Sequence, residues 1–159
     1  MKCTKKNIFS ILFVFIGFCC LGVACDPAYS DKYNIINSLD SPIIVVKETL
    51  QGNLDSTKIN PGESTLIYEE YGMGSSTFIT LSEYCGFFYS TNCIYSVIFS
   101  DGAVLQWNSA NSMSFPKHPA LKKYWKVLKG IDKKWRDDYE VEYTVDEEDY
   151  RNALAQNGF

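Results

Sequence analysis

Histidine is almost missing from this chain, whose 159 residues include one, His118. Metal sites built on clusters of histidine are therefore excluded. The chain also lacks the GxSxG pattern of a nucleophile elbow, so no motif marks a serine as a partner for His118. A serine or cysteine nucleophile paired with it stays an open alternative, but we expect His118, between Lys117 and Pro119, to be an exposed residue ahead of a helix.

Polar side chains are scarce at the start of the chain. Between Ile8 and Ala24 the one ordinary polar residue is Ser10, and three lysines precede this apolar run. A cationic end followed by a short apolar run is the layout of a secretory signal, whose positive end stays on the cytoplasmic side. Residues 1–24 are therefore predicted to be a signal peptide.

Small residues end this segment, because Gly22, Val23 and Ala24 stand directly before Cys25. The sequence GVAC resembles the lipobox of bacterial lipoproteins, in which the cysteine becomes the first residue after cleavage and its sulfur receives a diacylglyceryl group. Leucine commonly occupies the place of Gly22, so the match departs at that position. Cys25 is the predicted site of lipid attachment, and an uncleaved anchor or ordinary secretion is the alternative.

Few cysteines remain after this leader. Only Cys85 and Cys93 follow Cys25, and the CxxC spacing of oxidoreductases is absent. Two thiols in an oxidising compartment favour one disulfide, which here would close the short segment GFFYSTN. We predict a local structural staple between Cys85 and Cys93, and the sequence indicates neither a metal site nor a cofactor.

Basic residues are outnumbered by acidic ones, 15 against 19 in the whole chain. Because three lysines lie in the leader, the charge of residues 25–159 is -7. An acidic exported domain is a poor nucleic-acid binder. The length suits one domain with a real core, which we place at residues 33–159 after a short polar tether at residues 25–32.

Long helical patterns are rare, and short β-rich runs separated by turn residues predominate. The pair Asp101-Gly102 predicts a hairpin. The residues of the last run alternate between apolar and polar, which indicates a half-buried and antiparallel strand. The runs predict a mainly β domain, an antiparallel β-sandwich or open barrel of six to seven strands. They cover residues 33–39, 41–50, 64–71, 76–84, 94–99, 103–107 and 138–145.

Two segments depart from the β pattern. Apolar residues recur at helical spacing between Pro119 and Gly130, which predicts one helix before the last strand. Thr144 and Glu147 match a capping box, which predicts a short C-terminal helix. The acidic run Asp146–Asp149 fits the first turn of that helix better than a calcium loop, because it lacks the alternating spacing and the glycine of such a loop.

Basic and aromatic residues gather in two places that suggest a binding surface. From Lys117 to Arg136 there are eight basic residues and one acid, a local charge of +7. Such a segment can lie on anionic lipid or grip an acidic partner, although its lysines can also pair with carboxylates of the same domain. Exposed aromatic rings can also stack on sugars. The candidate surface residues are Phe87, Phe88, Tyr89, Lys122, Lys123, Trp125, Lys126 and Lys129.

Several features together resemble a broad group of small, β-rich cell-envelope lipoproteins of Bacteroides-type bacteria, most of them without an assigned function. They are the leader with GVAC, the segment INPGES, the SDG hairpin and the ending YTVDEEDYRNAL. The resemblance implies a lipid-anchored protein of the bacterial envelope, at the outer membrane, and it brings no catalytic residues.

We therefore expect a non-enzymatic binding or structural module, with an anionic lipid, a glycan or an envelope protein as partner. The alternative is an envelope hydrolase that acts on glycans through paired carboxylates. The two differ in form, because an enzyme needs a concave pocket with convergent polar groups, whereas a binding module can present a flat surface.

Overall fold

The computed structural model describes residues 28–49, 51–76, 78, 93–107, 116–133 and 136–158. The predicted signal peptide, Cys25, Cys85 and the aromatic residues Phe87, Phe88 and Tyr89 lie outside the described residues. Most of the predicted strand at residues 76–84 lies outside them as well.

The described chain is mainly β, with eight strands, a three-residue 3₁₀ turn and one helix near the C-terminus. Sheet A has the strand order β4-β1-β8-β7, and sheet B has the order β3-β2-β5-β6. The strands are β1 (Ala28–Asn37), β2 (Ile43–Thr49), β3 (Leu54–Ile59), β4 (Ser64–Met73), β5 (Cys93–Ile98), β6 (Val104–Trp107), β7 (Trp125–Lys133) and β8 (Arg136–Val145), and the helix is α1 (Glu147–Gln156).

One hydrophobic core draws side chains from both sheets. The inward residues of β8 confirm the predicted alternation, since Val141, Tyr143 and Val145 are fully buried and the residues between them are less so. The rings of Tyr143 in sheet A and Trp107 in sheet B lie 5.4 Å apart and are close to perpendicular. Large aromatic side chains therefore fill the space between the sheets, where each buries a large apolar area.

Strand β8 corrects the prediction of a purely antiparallel fold. It pairs antiparallel with β7, as expected, but parallel with β1, where Tyr33 lies opposite Val141. The chain between β1 and β8 passes through both sheets. No hairpin turn therefore forces these two strands to be antiparallel. Sheet A is therefore mixed, whereas all the pairs in sheet B are antiparallel.

The predicted helix between Pro119 and Gly130 is wrong. A short 3₁₀ turn at Lys122–Tyr124 leads into strand β7, which pairs with β8. The register shifts between Val127 and Lys129, so that Leu128 is an extra residue in the ladder. Such a bulge breaks the period of two, and the apolar residues then fall at a spacing that imitates a helix.

Strand β1 begins earlier than expected. Residues 28–32 belong to it and pair with β4 on one side and β8 on the other, so the predicted tether at residues 25–32 is at most its first three residues. Asp31 is buried in this segment, and its neighbour Lys32 is exposed. The polar composition of this segment suggested a loop. The side chain that it buries is the carboxylate of Asp31 and not an apolar group, so the strand pattern was hidden.

Strand β3, like β7, is not among the predicted strands. Its sequence, LDSTKI, is mostly polar and exposed because it forms an edge of sheet B. The predicted hairpin between β5 and β6 is present, with Phe99 N donating to Ala103 O at 2.9 Å. Gly102 supplies the positive φ of 89° that this turn requires.

The C-terminal helix is confirmed, but its cap lies two residues further along. Asp146 is the N-cap, and its side chain accepts from Glu148 N at 2.9 Å. In return, the side chain of Asp149 accepts from Asp146 N at 3.2 Å. Thr144 instead lies in β8, because this strand continues to Val145. The acidic run therefore satisfies the free amides at the start of α1.

Candidate binding groove on sheet A

The outward face of sheet A carries a shallow groove that crosses all four of its strands. Alternation along each strand places the lining side chains on the side away from the core, except that of Tyr139, which lies between two outward residues of β8 and packs against Phe78. The groove has a volume of about 220 Å³, at the small end for ligand sites. It is lined by Ser30 and Lys32 of β1, Glu69 and Tyr71 of β4, Lys129 of β7, and Arg136, Asp138, Tyr139 and Glu140 of β8.

Acids and bases of the groove neutralise one another. Lys32 Nζ lies 3.3 Å from Glu69 Oε1, and Arg136 Nε donates to Asp138 Oδ2 at 2.6 Å. Three cations and three carboxylates line the groove, so its formal charge is zero. A small ion of either sign is therefore not strongly attracted by the groove as a whole.

The carboxylates of the groove keep capacity for a ligand. Asp138 Oδ1 is buried and accepts no hydrogen bond within the part of the chain that the structure describes. Hydrogen bonds from Tyr71 and Lys32 lower the pKa of Glu69, so this group stays ionised. Glu69 is thus an ionised acceptor for hydroxyl or amine donors of a bound molecule, whereas Asp138 Oδ1 is closed off from solvent and becomes accessible only if its side chain rotates.

Tyr71 gives the groove an apolar surface. Its side chain is 69% exposed, and its hydroxyl is engaged with Glu69, which raises the pKa of the phenol. The ring is thereby held at one edge of the groove with a face open to solvent. Such a ring can stack on a flat or weakly polar ligand.

The predicted surface residues separate into buried, shielded and exposed groups. Trp125 is buried, and its Nε1 donates to Pro119 O at 2.6 Å, so its assignment to the surface is wrong. The ammonium groups of Lys122 and Lys123 lie over aromatic rings, 4.6 Å and 4.8 Å from the centroids of Phe78 and Tyr124. These two lysines contact rings of their own domain.

Lys126 and Lys129 are exposed on β7 and face outward. Each lies opposite a glutamate of β8, Lys126 opposite Glu142 and Lys129 opposite Glu140. Cross-strand neighbours of opposite charge attract one another, so the basic segment is partly neutralised within sheet A. Of the predicted surface lysines, Lys129 lines the groove.

Lys117, the first basic residue of that segment, belongs to a buried polar cluster and not to the surface. We call Lys117, Tyr143, Asp146 and Asp149 the Lys117 cluster. Lys117 Nζ lies 2.6 Å from Asp149 Oδ2 and 2.8 Å from Asp146 Oδ1, and it donates to Thr144 O at 2.7 Å. Tyr143 OH donates to the other oxygen of Asp149 at 2.7 Å.

The acid-base properties of the Lys117 cluster follow from its burial. Burial raises the pKa of Asp149, although Lys117 acts in the opposite direction. Burial, then the charge of Asp149, raises the pKa of Tyr143 far above its usual value. Partial burial opposes ionisation of Asp146, but hydrogen bonding and the charge of Lys117 outweigh it and lower the pKa. The cluster therefore joins the start of α1 to β8 and to the segment before β7.

His118 is fully buried, which corrects the expectation of an exposed residue. Its Nδ1 accepts from Ala120 N at 2.9 Å, so the ring stabilises a tight turn. Burial lowers the pKa of His118 from 6.5 to about 4, and the imidazole is neutral at physiological pH. No local pattern indicates this role, because the residue follows a lysine and precedes a proline.

Asp31 and Asp137 are two buried carboxylates that could be considered as the catalytic pair of a glycan hydrolase. Asp31 accepts from Ser76 Oγ at 2.7 Å and from Phe78 N at 3.1 Å. Asp137 accepts from Ser76 N at 3.4 Å. Both carboxylates are buried and fasten the chain at residues 76–78 to sheet A, so they do not face each other across an open cleft.

Two further depressions lie near the start and end of α1. One, of about 240 Å³, includes Asp101 and Tyr150, and the hydroxyl of Tyr150 donates to Asp101 Oδ2 at 2.6 Å. The other, of about 370 Å³, lies beside Asn157, whose Nδ2 donates to Val104 O at 2.8 Å. In both places the polar groups already fix α1 to the β5–β6 hairpin.

The described residues contain no group of three or more metal-ligating side chains close enough to hold an ion. None of the described helices is long and apolar enough to cross a membrane. Cys93 is the first residue of β5 and is half-buried. Because Cys85 lies outside the described residues, the disulfide stays a prediction. Comparison with protein-family models, with curated proteins and with solved structures found no match to this chain.

Proposed function

We propose that this protein is an exported lipoprotein, tethered through Cys25, that acts as a non-enzymatic binding module of the bacterial cell envelope at the outer membrane. The observation that carries the binding role is the open, charge-balanced groove on sheet A with its exposed tyrosine. The leader and GVAC support the tether, as does the resemblance to small lipoproteins of Bacteroides-type bacteria. Two or three acyl chains would hold the domain at a membrane almost permanently.

The arrangement of the sheets supports a β-sandwich over an open barrel. Within the described strands, no hydrogen-bonded pair joins sheet A to sheet B. The contact between Trp107 and Tyr143 and the shared core indicate that the sheets pack face to face. A sandwich leaves the outer face of sheet A free, and the groove lies on that face.

A neutral glycan is the ligand class that fits the groove best. Sugar hydroxyls both donate and accept hydrogen bonds. They can therefore bond to the carboxylates and to the lysine and arginine donors that line the groove. Glu69 is an ionised acceptor for a hydroxyl, and the ring of Tyr71 can stack on the apolar face of a sugar. The zero formal charge disfavours strongly anionic ligands in this groove.

The alternative, a glycan hydrolase with paired carboxylates, has less support. A general acid for that reaction needs a raised pKa, whereas the pKa of Glu69 is lowered. Asp138 is committed to Arg136, and Asp31 and Asp137 are fastened to the segment that contains Ser76. Asp149 has a raised pKa, but it is closed off in the Lys117 cluster.

Acylation at Cys25 is tested by intact mass and metabolic acyl labelling of protein from native membranes, with Cys25→Ala as the comparison. We expect the wild-type chain to start at Cys25 and to carry acyl chains, and the variant to carry none. A full-length or unacylated wild-type chain would contradict the tether.

Binding is tested with the mature, acylated protein in detergent and a set of neutral hexasaccharides: maltohexaose, cellohexaose and chitohexaose. We expect one of them to bind and Tyr71→Ala to raise its Kd by about tenfold, a loss of roughly 1.4 kcal/mol. Leu66→Ala is the matched control, because Leu66 is exposed on the same strand but lies outside the groove.

The same samples separate binding from hydrolysis. New reducing ends released from the bound oligosaccharide would favour the hydrolase. Absence of binding to any of the three sugars, or equal affinities of wild type and Tyr71→Ala, would contradict the glycan groove.

A further inference from the structure

The most exposed large apolar side chains of the described residues are found toward one end of the molecule. Leu54, Tyr71 and Met73 are 70%, 69% and 74% exposed. The other large apolar residues that count as exposed, among them Leu66 and Val127, are each less than half exposed. Single exposed apolar residues are ordinary, but a group of the most exposed ones toward one end indicates an interaction surface.

Backbone pairing places two of the three residues beside the start of β1. Met73 lies opposite Ala28, and Tyr71 lies opposite Ser30. We call this end of the domain the Ala28 end. Arg136 of β8 also lies opposite Ala28, and its side chain is largely exposed.

Leu54 lies on the same side of the molecule, in sheet B, but further from Ala28. Strand β2 runs back toward the Ala28 end, because it follows β1 after the short connection at residues 38–42. Near the close of β2, the ammonium of Lys47 lies 5.3 Å from the ring centroid of Tyr68, which pairs with Tyr33 in the middle of β1. Leu54 pairs with the next residue, Glu48, so it lies roughly 13 Å from the level of Ala28.

The chain enters the domain at this end, close to the predicted lipid. Only Asp26 and Pro27 separate Cys25 from Ala28. Three residues of extended chain span about 11 Å at most. If Cys25 carries acyl chains, the Ala28 end cannot move far from the level of the lipid headgroups.

We propose that the Ala28 end is a membrane-contact surface, on which Met73 enters the headgroup layer of a phospholipid bilayer beside the acyl chains of Cys25, with Leu54 further from the bilayer. This inference rests on the proposed lipid anchor. Apolar and aromatic side chains next to an exposed arginine match the mixed polarity of the interface between lipid and water. Tyr71 lies at the border between this surface and the groove.

The contact fixes the orientation of the domain. Strand β1 then rises from the membrane, and its other end, at Asn37, lies about 30 Å further out, given roughly 3.3 Å per residue. The groove opens sideways, close to the membrane surface. A glycan that binds there is therefore held next to the bilayer, and α1 begins at the far end of the domain, directly after Val145, which pairs with Asn37.

The test uses the mature, lipid-modified protein, which starts at Cys25, in vesicles of phosphatidylethanolamine and phosphatidylglycerol. The photoreactive residue p-benzoylphenylalanine replaces Met73 or Leu54 in separate variants, and Leu66 or Val127 in the controls. Leu66 lies on the same strand as Met73, about 23 Å away along it. All four positions are exposed, so we expect each variant to fold.

We expect the probe at Met73 to cross-link to phospholipid at least about fivefold more than probes at Leu66 and Val127, and the probe at Leu54 to fall between them, because cross-linking requires the side chain to lie at headgroup depth. Equal cross-linking at all four positions, or stronger cross-linking at the controls, would overturn the proposed contact.

Intact mass of each sample separates failure of the contact from failure of the anchor. Acylated protein with no preference for Met73 overturns the contact and leaves the lipoprotein assignment standing. Protein that carries no acyl chain overturns both, since the contact depends on the anchor.

Discussion

The Lys117 cluster and the groove on sheet A are built from the same residue types, lysine or arginine with carboxylates and tyrosine, but they differ in burial. The side chain of Lys117 is 7% exposed and contacts three oxygens, whereas that of Lys32 is 46% exposed and pairs with Glu69. Water weakens the second pair by screening and by competing for its hydrogen bonds. The same chemistry therefore stabilises the fold in one place and remains available to a ligand in the other.

The difference also separates structural from functional carboxylates in this chain. Asp149 has both oxygens in use within the described residues, by Lys117 and Tyr143. Asp138 has one oxygen bonded to Arg136, while Oδ1 has no donor in the described chain. An ionised carboxylate on an open face beside an exposed tyrosine, as at Glu69 and Tyr71, is the better sign of a binding site.

The largest effect should come from removing the buried cation. Lys117→Met should lower the free energy of unfolding by about 3–5 kcal/mol, because Asp149 is left buried without its partner. Lys32→Met is the matched control and should change stability little. Urea unfolding followed by tryptophan fluorescence measures both. Similar losses for the two variants would show that burial does not distinguish these lysines.

The buried histidine next to the cluster should make stability depend on pH. The folded state holds the pKa of His118 at about 4, against 6.5 for the exposed ring, so at lower pH the unfolded chain binds a proton that the folded chain does not. The contribution of the neutral ring is complete above pH 6.5 and is lost as the pH falls toward 4.

Between these pH values His118 should account for up to about 3 kcal/mol of lost stability. His118→Asn can keep an acceptor for Ala120 N but does not titrate, so its stability should fall less over this range. Urea unfolding at a series of pH values measures the difference. Parallel curves for wild type and variant would argue against a buried neutral imidazole.

The N-cap of α1 should have a smaller effect. Asp146→Ala removes both the cap and one partner of Lys117, whereas Asp146→Ser keeps an oxygen that can accept from Glu148 N. The alanine variant should be less stable than the serine variant by about 1 kcal/mol. If alanine and serine are equivalent in thermal and urea unfolding, Asp146 acts only through its charge.

The smallest effect on stability should occur in the groove. Arg136→Gln removes an exposed ion pair with Asp138, so unfolding in urea should be unchanged within error. Affinity for the bound hexasaccharide should nevertheless fall by about threefold or more, since a charged donor is lost from the groove. A variant that loses stability but keeps its affinity would reverse the assigned roles of the groove and the Lys117 cluster.

Alternation and turn residues predicted much of the fold from local information. Strand β8, the β5–β6 hairpin and helix α1 all follow from spacing within a few residues. Strand β7 could not be predicted in this way, because a bulge at Leu128 disguises its period. The parallel pairing of β1 with β8 depends on contacts between the two ends of the chain, which no local pattern encodes.

The site was harder to predict than the fold for the same reason. The groove combines residues of β1, β4, β7 and β8, and its β1 residues fall in a segment that the sequence suggests is a tether. Of the predicted surface, Lys129 was assigned correctly to an outward face, whereas Trp125 is packed against Tyr143. A basic segment read along the sequence does not reveal the glutamates that face it across a strand.

The most direct test is hydrogen–deuterium exchange of the acylated protein with and without the best-bound hexasaccharide. The account predicts protection confined to residues 28–32, 69–73, 127–131 and 136–140, the strand segments that carry the groove, and no change at residues 143–150 around the Lys117 cluster. Protection centred on residues 143–150, or none at the groove while the sugar is bound, would contradict it.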